Sequence, residues 1–230
     1  MTEMSEISFP RFIVLTGNYG SGKTELALNL AEQLKRDGKS VTLVDLDIVN
    51  PYFRSAEKRE EMERAGIRML APTFAMTTVD IPALPAEIQS VFEVPCDHVI
   101  FDVGGDDTGA AALGRYYPSF QKYRGETVSL FVLNASRPLT QNADDVTDIA
   151  SRISSRGRLG IDAIINNTNL ADQTVPAMVE EGEKLARECA KRLGVEKVMT
   201  SGVRGVLDQC ELNTPCFYME RKMVPEWMNI

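Results

Sequence analysis

Gly17-Asn18-Tyr19-Gly20-Ser21-Gly22-Lys23-Thr24 decides how this chain is read. It follows Arg11-Phe12-Ile13-Val14-Leu15-Thr16, a short apolar run that fits a buried strand. It precedes Glu25 to Leu34, where Leu26, Leu30 and Leu34 recur at helical spacing. A strand, a glycine-rich turn and a helix around G-x-x-x-x-G-K-T form a phosphate-binding loop pattern. Gly17, Gly20 and Gly22 let the backbone curl so that several N–H groups point at one anion. The helix start adds its free N–H groups and the positive end of its dipole. Lys23 would reach the β- and γ-phosphates, and the Thr24 hydroxyl would ligate Mg²⁺. A ligand-free turn has no need of Lys23-Thr24. A dinucleotide fingerprint would space its glycines G-x-G-x-x-G, whereas here they run G-x-x-G-x-G. Asn18, Tyr19, Gly20, Ser21, Gly22, Lys23, Thr24 and Glu25 are therefore the expected phosphate-side contacts.

Two acidic strand ends complete the expected site. Ser40 to Asp45 reads as a second strand and ends Asp45-Leu46-Asp47. Asp97-His98-Val99-Ile100-Phe101-Asp102 is an apolar strand ending in Asp, the Walker B form, whose acid holds the Mg²⁺ shell. Ligands of α/β sheets collect at the carboxyl ends of strands, so Asp45, Asp47 and Asp102 are metal-side candidates with Thr24. Gly104-Gly105 follows Asp102, and the Gly105 N–H would meet a γ-phosphate and let go of it on hydrolysis. Asp106 or Asp107 suits a helix N-cap.

Composition bounds the rest. The chain has 230 residues, 43% hydrophobic and 25% charged, which suits one domain spanning residues 1–230. Its formal net charge is −8, which argues against broad nucleic-acid binding. No apolar run is long enough to span a bilayer, and residues 1–10 lack the basic-then-apolar pattern of a secretory signal. A cytoplasmic protein without membrane or nucleic-acid partners is expected. Cys96, Cys189, Cys210 and Cys216 form no C-x-x-C and read as reduced thiols, with a shared metal site as the sharper alternative. The single histidine, His98, argues against a multi-His metal site and a Ser-His-Asp mechanism.

The remaining pattern alternates strand and helix. Gly38 should end the first helix. A helix is expected from Ser55 to about Ala65, and a short strand over Ile67–Leu70. Residues 71–95 read as a proline-punctuated loop with one helix near Ala86–Phe92. A helix over 110–123 should break near Pro118. Strands follow at 127–133, 161–165 and 195–200, with helices at about 141–155 and 175–193, and the chain end from Phe217 reads as a packed tail. The pattern predicts a mainly parallel sheet covered by helices on both faces.

Asn166-Asn167-Thr168-Asn169 bears on the base. GTPases carry N-K-x-D at such a strand end, and here the Lys is missing and Asn169 replaces the Asp. An amide offers one acceptor oxygen where the carboxylate takes two bonds, which favours adenine and makes Asn166, beside Asn167, the expected base contact. The alternative is that these asparagines only cap the following turn.

With these residues together, the chain resembles the MinD/ParA/CobQ group of P-loop ATPases, with the nitrogenase iron protein and carbon monoxide dehydrogenase maturation ATPases as cousins. The likeness rests on Gly17–Thr24, Asp45-x-Asp47, Asp102 with Gly104-Gly105, and Asn166, and covers about residues 10–205. It implies a three-layer α/β/α P-loop NTPase with about seven or eight strands, mainly parallel. It also implies Mg-ATP binding and slow hydrolysis coupled to dimerisation or a protein partner. By that likeness Asp47 is the acid near the attacking water, and Lys23 and Asp47 are the catalytic pair. Asn18 departs from the pattern, because many of these ATPases place there a lysine that reaches the phosphates across a dimer. Arg54 and Arg115 are the cations considered as substitutes. Paired cluster-binding cysteines are also missing.

Two functions fit. One is an ATP-driven switch, its partner a metalloenzyme or corrinoid protein under maturation. The other is an ATP-dependent ligase or kinase of the cobyrinic acid or dethiobiotin synthetase type, with an acceptor pocket from residues 71–95 and 106–124.

Overall fold

The computed structural model describes residues 8–47, 55–71 and 86–223. Strand β1 (Phe12–Thr16) lies at the centre and is buried along its whole length. Its side chains alternate between two cores. Ile13 and Leu15 face helix α1 (Lys23–Arg36), whereas Phe12 and Val14 face an aromatic cluster that includes Phe92, Phe101 and Phe120. Continuous apolar runs of this kind belong to parallel strands covered on both sides.

The other strands are β2 (Val41–Leu46), β3 (Arg68–Leu70), β4 (His98–Val103), β5 (Thr127–Leu133), β6 (Ala163–Asn166), β7 (Lys197–Val203) and β8 (Cys216–Met219). They form one eight-stranded sheet in the order β3-β2-β4-β1-β5-β6-β7-β8. Every pairing is parallel. The chain therefore leaves β1 toward one edge and returns past it toward the other. A crevice opens at the carboxyl ends where those directions diverge.

Helices α1 and α2 (Ser55–Arg64) cover one face. The other face carries α3 (Ala86–Ser90), α4 (Asp107–Gly114), α5 (Tyr117–Lys122), α6 (Ala143–Gly157) and α7 (Pro176–Leu193). Glu25 in the first turn of α1 and Lys35 and Arg36 in its last complement the helix dipole. Gly38, at φ 79°, turns the chain out of that helix.

Three expectations need correction. The break in the 110–123 helix falls at Arg115–Tyr116, and Pro118 opens α5 within its first turn, where its missing N–H costs nothing. The short helix α8 (Arg204–Leu207) and strand β8 went unread. Phe217, expected in a packed tail, pairs in register with Ser201 as part of the sheet edge. Arg54 and most of the 71–95 loop, residues 72–85, lie outside the described residues.

Candidate functional site

The loop between β1 and α1 is a concave turn built by its glycines. Gly20 and Gly22 have φ of 73° and 89°, left-handed values that favour glycine. A Cβ on Gly22 would lie 2.3 Å from Asn167 Nδ2, and one on Gly17 would lie 2.3 Å from the Val132 carbonyl oxygen. Neighbouring strands thus press against the loop from outside and hold its inner face open. The Lys23 ammonium is buried and donates to the carbonyls of Gly17 and Asn18 at 3.0 and 2.9 Å. Ser21 Oγ is buried without a hydrogen-bond partner among the described residues. A curled backbone, a cation inside it and an orphaned hydroxyl fit a phosphate group.

On one side of the loop lie the acids. Asp45 and Asp102 are register partners on β2 and β4 and are nearly buried. The Thr24 hydroxyl donates to Asp102 Oδ2 at 2.7 Å. Asp45 Oδ1 accepts the Asp47 N–H at 2.8 Å, which turns the chain at the end of β2. A Cβ on Gly104 would lie 3.2 Å from Asp47 Oδ1, so Asp47 sits against the turn that follows β4. Gly105 in turn backs onto Tyr19, and its own Cβ would fall 2.4 Å from the Tyr19 nitrogen. Asp106 is the N-cap of α4 and accepts the Gly109 N–H at 2.8 Å. Thr24, Asp45, Asp47 and Asp102 are thus grouped beside the phosphate loop. These oxygen donors suit a hard divalent ion that shares its shell with phosphate.

On the other side a cleft of about 410 Å³ runs from Gly20 and Gly22 toward β7 and α8. Asn167 forms the hinge between loop and cleft. Its Nδ2 donates to the Ser21 carbonyl at 2.8 Å, and its Oδ1 accepts the Ser201 hydroxyl at 3.0 Å.

Asn166 departs from the expected base contact. It is fully buried, and its amide is consumed by the fold. Nδ2 donates to the Val179 carbonyl and to Thr200 Oγ1, while Oδ1 accepts from the Thr168 N–H and hydroxyl. The two asparagines should therefore separate on substitution. Asn166→Ala is expected to lower stability by about 2 kcal/mol, because it strands buried partners. Asn167→Ala should cost a similar amount, since Asn167 is only 1% exposed and bonded to Ser21 and Ser201, and should in addition weaken nucleotide binding by about tenfold, because the Ser21 carbonyl it holds belongs to the phosphate loop. Chemical denaturation and nucleotide titration of both variants check this.

Glu25 also differs in role. It borders the cleft, but its carboxylate accepts the backbone N–H groups of Lys222 and Met223. Arg115 is exposed at the far end of α4, roughly 12 Å along the helix from Asp107. Besides Lys23, a cation among the described residues that touches the loop is Arg137, whose Nε donates to the Gly20 carbonyl at 3.0 Å. It went unread, although it follows β5, the strand beside β1, by only a few residues.

Cys189, Cys210 and Cys216 are buried, and Cys96 is half-buried. Burial pushes the thiols of Cys189 and Cys210 up to about 11, and that of Cys216 in the same direction. Such thiols stay protonated at neutral pH, in keeping with reduced core residues. Among the described residues no group of three or more His, Cys, Asp or Glu is arranged to hold a metal ion by itself. No helix among them is long and apolar enough to cross a membrane.

This geometry defines a P-loop nucleotide-binding domain on a parallel α/β sheet. Residues 12–195 match the CobQ/CobB/MinD/ParA nucleotide binding domain family, and the chain belongs to it. A curated relative is the signal recognition particle protein of Mycobacterium leprae, 35% identical over 105 residues. That match covers 46% of this chain and 20% of the relative, so the chain spans a fifth of the relative's length. Among solved structures, signal recognition particle 54 kDa protein from Aeropyrum pernix in complex with GDP aligns with a TM-score of 0.52 at 22% identity. That alignment covers 84% of this chain and 42% of the other. Cell division protein FtsY from Thermotoga maritima aligns at 0.54 and 20% identity, over 84% of this chain and 62% of the other. These likenesses concern the fold. They also lie with signal recognition proteins, not with the nitrogenase iron protein or carbon monoxide dehydrogenase maturation ATPases that the sequence suggested.

Proposed function

We propose that this chain binds Mg-ATP and hydrolyses it slowly, and that the nucleotide switches its affinity for a protein partner. The bond from the Thr24 hydroxyl to Asp102 carries the reading, because it joins the phosphate loop to the strand-end acids through the atoms that suit a metal shell. Bound Mg²⁺ would neutralise charge on the transferring phosphoryl group. Thr24, Asp45 and Asp102 would hold that ion and its waters. Lys23 would stabilise charge on the β- and γ-phosphate oxygens from inside the loop. Asp47, held by its backbone bond to Asp45, would orient the attacking water. Gly105, lying on the loop backbone, would report phosphate loss to α4.

Adenine is favoured by Asn169, a half-buried amide on the cleft that stands where GTPases carry an aspartate. Asp172, the carboxylate of that loop on the cleft, is already paired with Arg221. A protein partner is supported by exposed apolar side chains. Tyr19, Leu139, Leu170 and Val175 are exposed, and all four follow the carboxyl ends of strands around the nucleotide cleft. A second copy of this chain is one candidate for that partner. Metalloenzyme maturation draws no support from the site or from the relatives named above.

The test compares ATP and GTP. With Mg²⁺ present, ATP is expected to bind at least about tenfold more tightly, one hydrogen-bond's worth of discrimination. Its slow turnover should accompany a change in hydrodynamic size or partner capture between ATP and ADP. Preference for GTP would overturn the base assignment. Equal partner affinity with ATP, ADP and no nucleotide would overturn the switch.

A further inference from the structure

The last described residues form a strap that the sequence reading passed over. After β8 the chain runs back across α1. Asn29 grips Glu220 at both backbone groups, donating from Nδ2 to its carbonyl at 2.9 Å and accepting its N–H at Oδ1 at 2.8 Å. Glu25 accepts the N–H groups of Lys222 and Met223. The Lys222 ammonium, only 9% exposed, pairs with Glu32 at 2.8 Å. Glu25, Asn29 and Glu32 follow one another at i, i+4 and i+7, so a single face of α1 holds the strap. This is the helix that begins with Lys23 and Thr24.

The strap has a second attachment. Arg221 reaches over to Asp172 in the turn after β6 and forms an ion pair with it. Glu220, Arg221 and Met223 line the cleft, as do Thr168, Asn169 and Asp172 from the turn after β6. The Arg221–Asp172 pair therefore ties together two segments that line one cleft. Three contacts root the strap on α1, and the fourth, a largely solvent-facing ion pair, is the one that can part at low cost.

We propose that residues 219–223 are the outer wall of the nucleoside end of the site and that the Arg221–Asp172 pair is a latch whose opening sets the rate of nucleotide exchange. This rests on the reading above that the cleft takes a nucleoside triphosphate. A latch lowers the rate of entry and the rate of exit together. A plain binding contact slows exit alone.

The experiment is stopped-flow binding of a fluorescent N-methylanthraniloyl ATP with Mg²⁺ to the full chain. Arg221→Ala and Asp172→Ala should each raise association and dissociation rates by the same factor, about three- to fivefold, as an exposed ion pair permits. Kd should then stay within about twofold of the wild type, since a gate shifts barriers and not equilibria. The exchanged pair, Asp172→Arg with Arg221→Asp, should return both rates toward the wild type. A second readout needs no nucleotide. Trypsin cleavage after Arg221 and Lys222, followed by mass spectrometry, should quicken in Asp172→Ala and more so in Glu25→Gln, which loosens the root of the strap. Unchanged rates, or a change in dissociation alone, overturn the latch while the nucleotide reading stands. A wild type that binds no nucleotide overturns both, and the cleavage pattern then reports only how the strap is attached.

Discussion

Lys23→Ala is expected to slow nucleotide hydrolysis by about 100- to 1000-fold while the fold survives, the scale seen when one transition-state donor is lost. The residue opens α1, where alanine is a good helix former, so the helix is kept. What goes is a buried ammonium held at the loop centre by the Gly17 and Asn18 carbonyls. Phosphoryl transfer leaves little covalent work to the protein, so a fixed charge aimed at the phosphate oxygens is a large share of what it offers. Asn18 is neutral, and Arg137 is bonded to the outer side of the loop at the Gly20 carbonyl. Among the described residues no neighbour on the loop therefore stands in for the lost charge. The measurement is phosphate release under saturating Mg-ATP, with a thermal melt alongside. A variant that keeps its melting temperature but loses the nucleotide-induced rise in it meets the expectation. Hydrolysis within about threefold of the wild type would remove Lys23 from the mechanism.

Much of this site was legible because its chemistry is local. Gly17–Thr24 is one unbroken stretch, and a strand before it and a helix after it are visible as two different periodicities. Asp45 and Asp102 could be paired in advance because each ends an apolar run, and parallel strands bring such ends together. What the sequence hid depends on contacts across long separations. Asn166 and Asn167 are adjacent in the chain, and the strand period of two turns them opposite ways. One enters the core against Val179 and Thr200, and the other meets Ser21. Choosing between them requires the register of β6, which no local pattern supplies. Arg137 was invisible for the same reason, since its importance comes from β5 lying beside β1. Strand β8 is short and follows Pro215, so its apolar residues resembled a tail until their pairing with β7 was seen. The strap continues from it and is held by the side chains of Glu25, Asn29 and Glu32, which lie far away in the chain, so no local pattern marks the attachment.

Gly105→Ala is expected to cost about 100-fold in hydrolysis, the effect of roughly an ångström of misplacement, and far less in nucleotide affinity. Its φ is not left-handed, so conformational freedom is not what the position uses. Space is. An alanine Cβ would lie 2.4 Å from the Tyr19 nitrogen, 2.7 Å from its Cα and 2.8 Å from the Asn18 carbonyl carbon. All three are backbone atoms of the phosphate loop, so no side chain can swing aside to make room. The strain must be relieved by parting the β4–α4 turn from the loop. Gly104 resists in the other direction, because Gly109 packs against it, and a Cβ on Gly109 would itself meet the Gly104 carbonyl oxygen at 2.4 Å. The displacement therefore falls on the contact that the proposed switch needs. Asn167, Thr168 and the strap lie on the opposite flank of the loop, so the nucleoside end should bind nearly as before. The two effects separate experimentally as kcat against Kd. Partner affinity should also lose its dependence on ATP, since the turn can no longer follow the phosphate. Equal losses in kcat and Kd would mean that Gly105 only helps hold nucleotide. An unchanged kcat would show that this turn takes no part in the reaction.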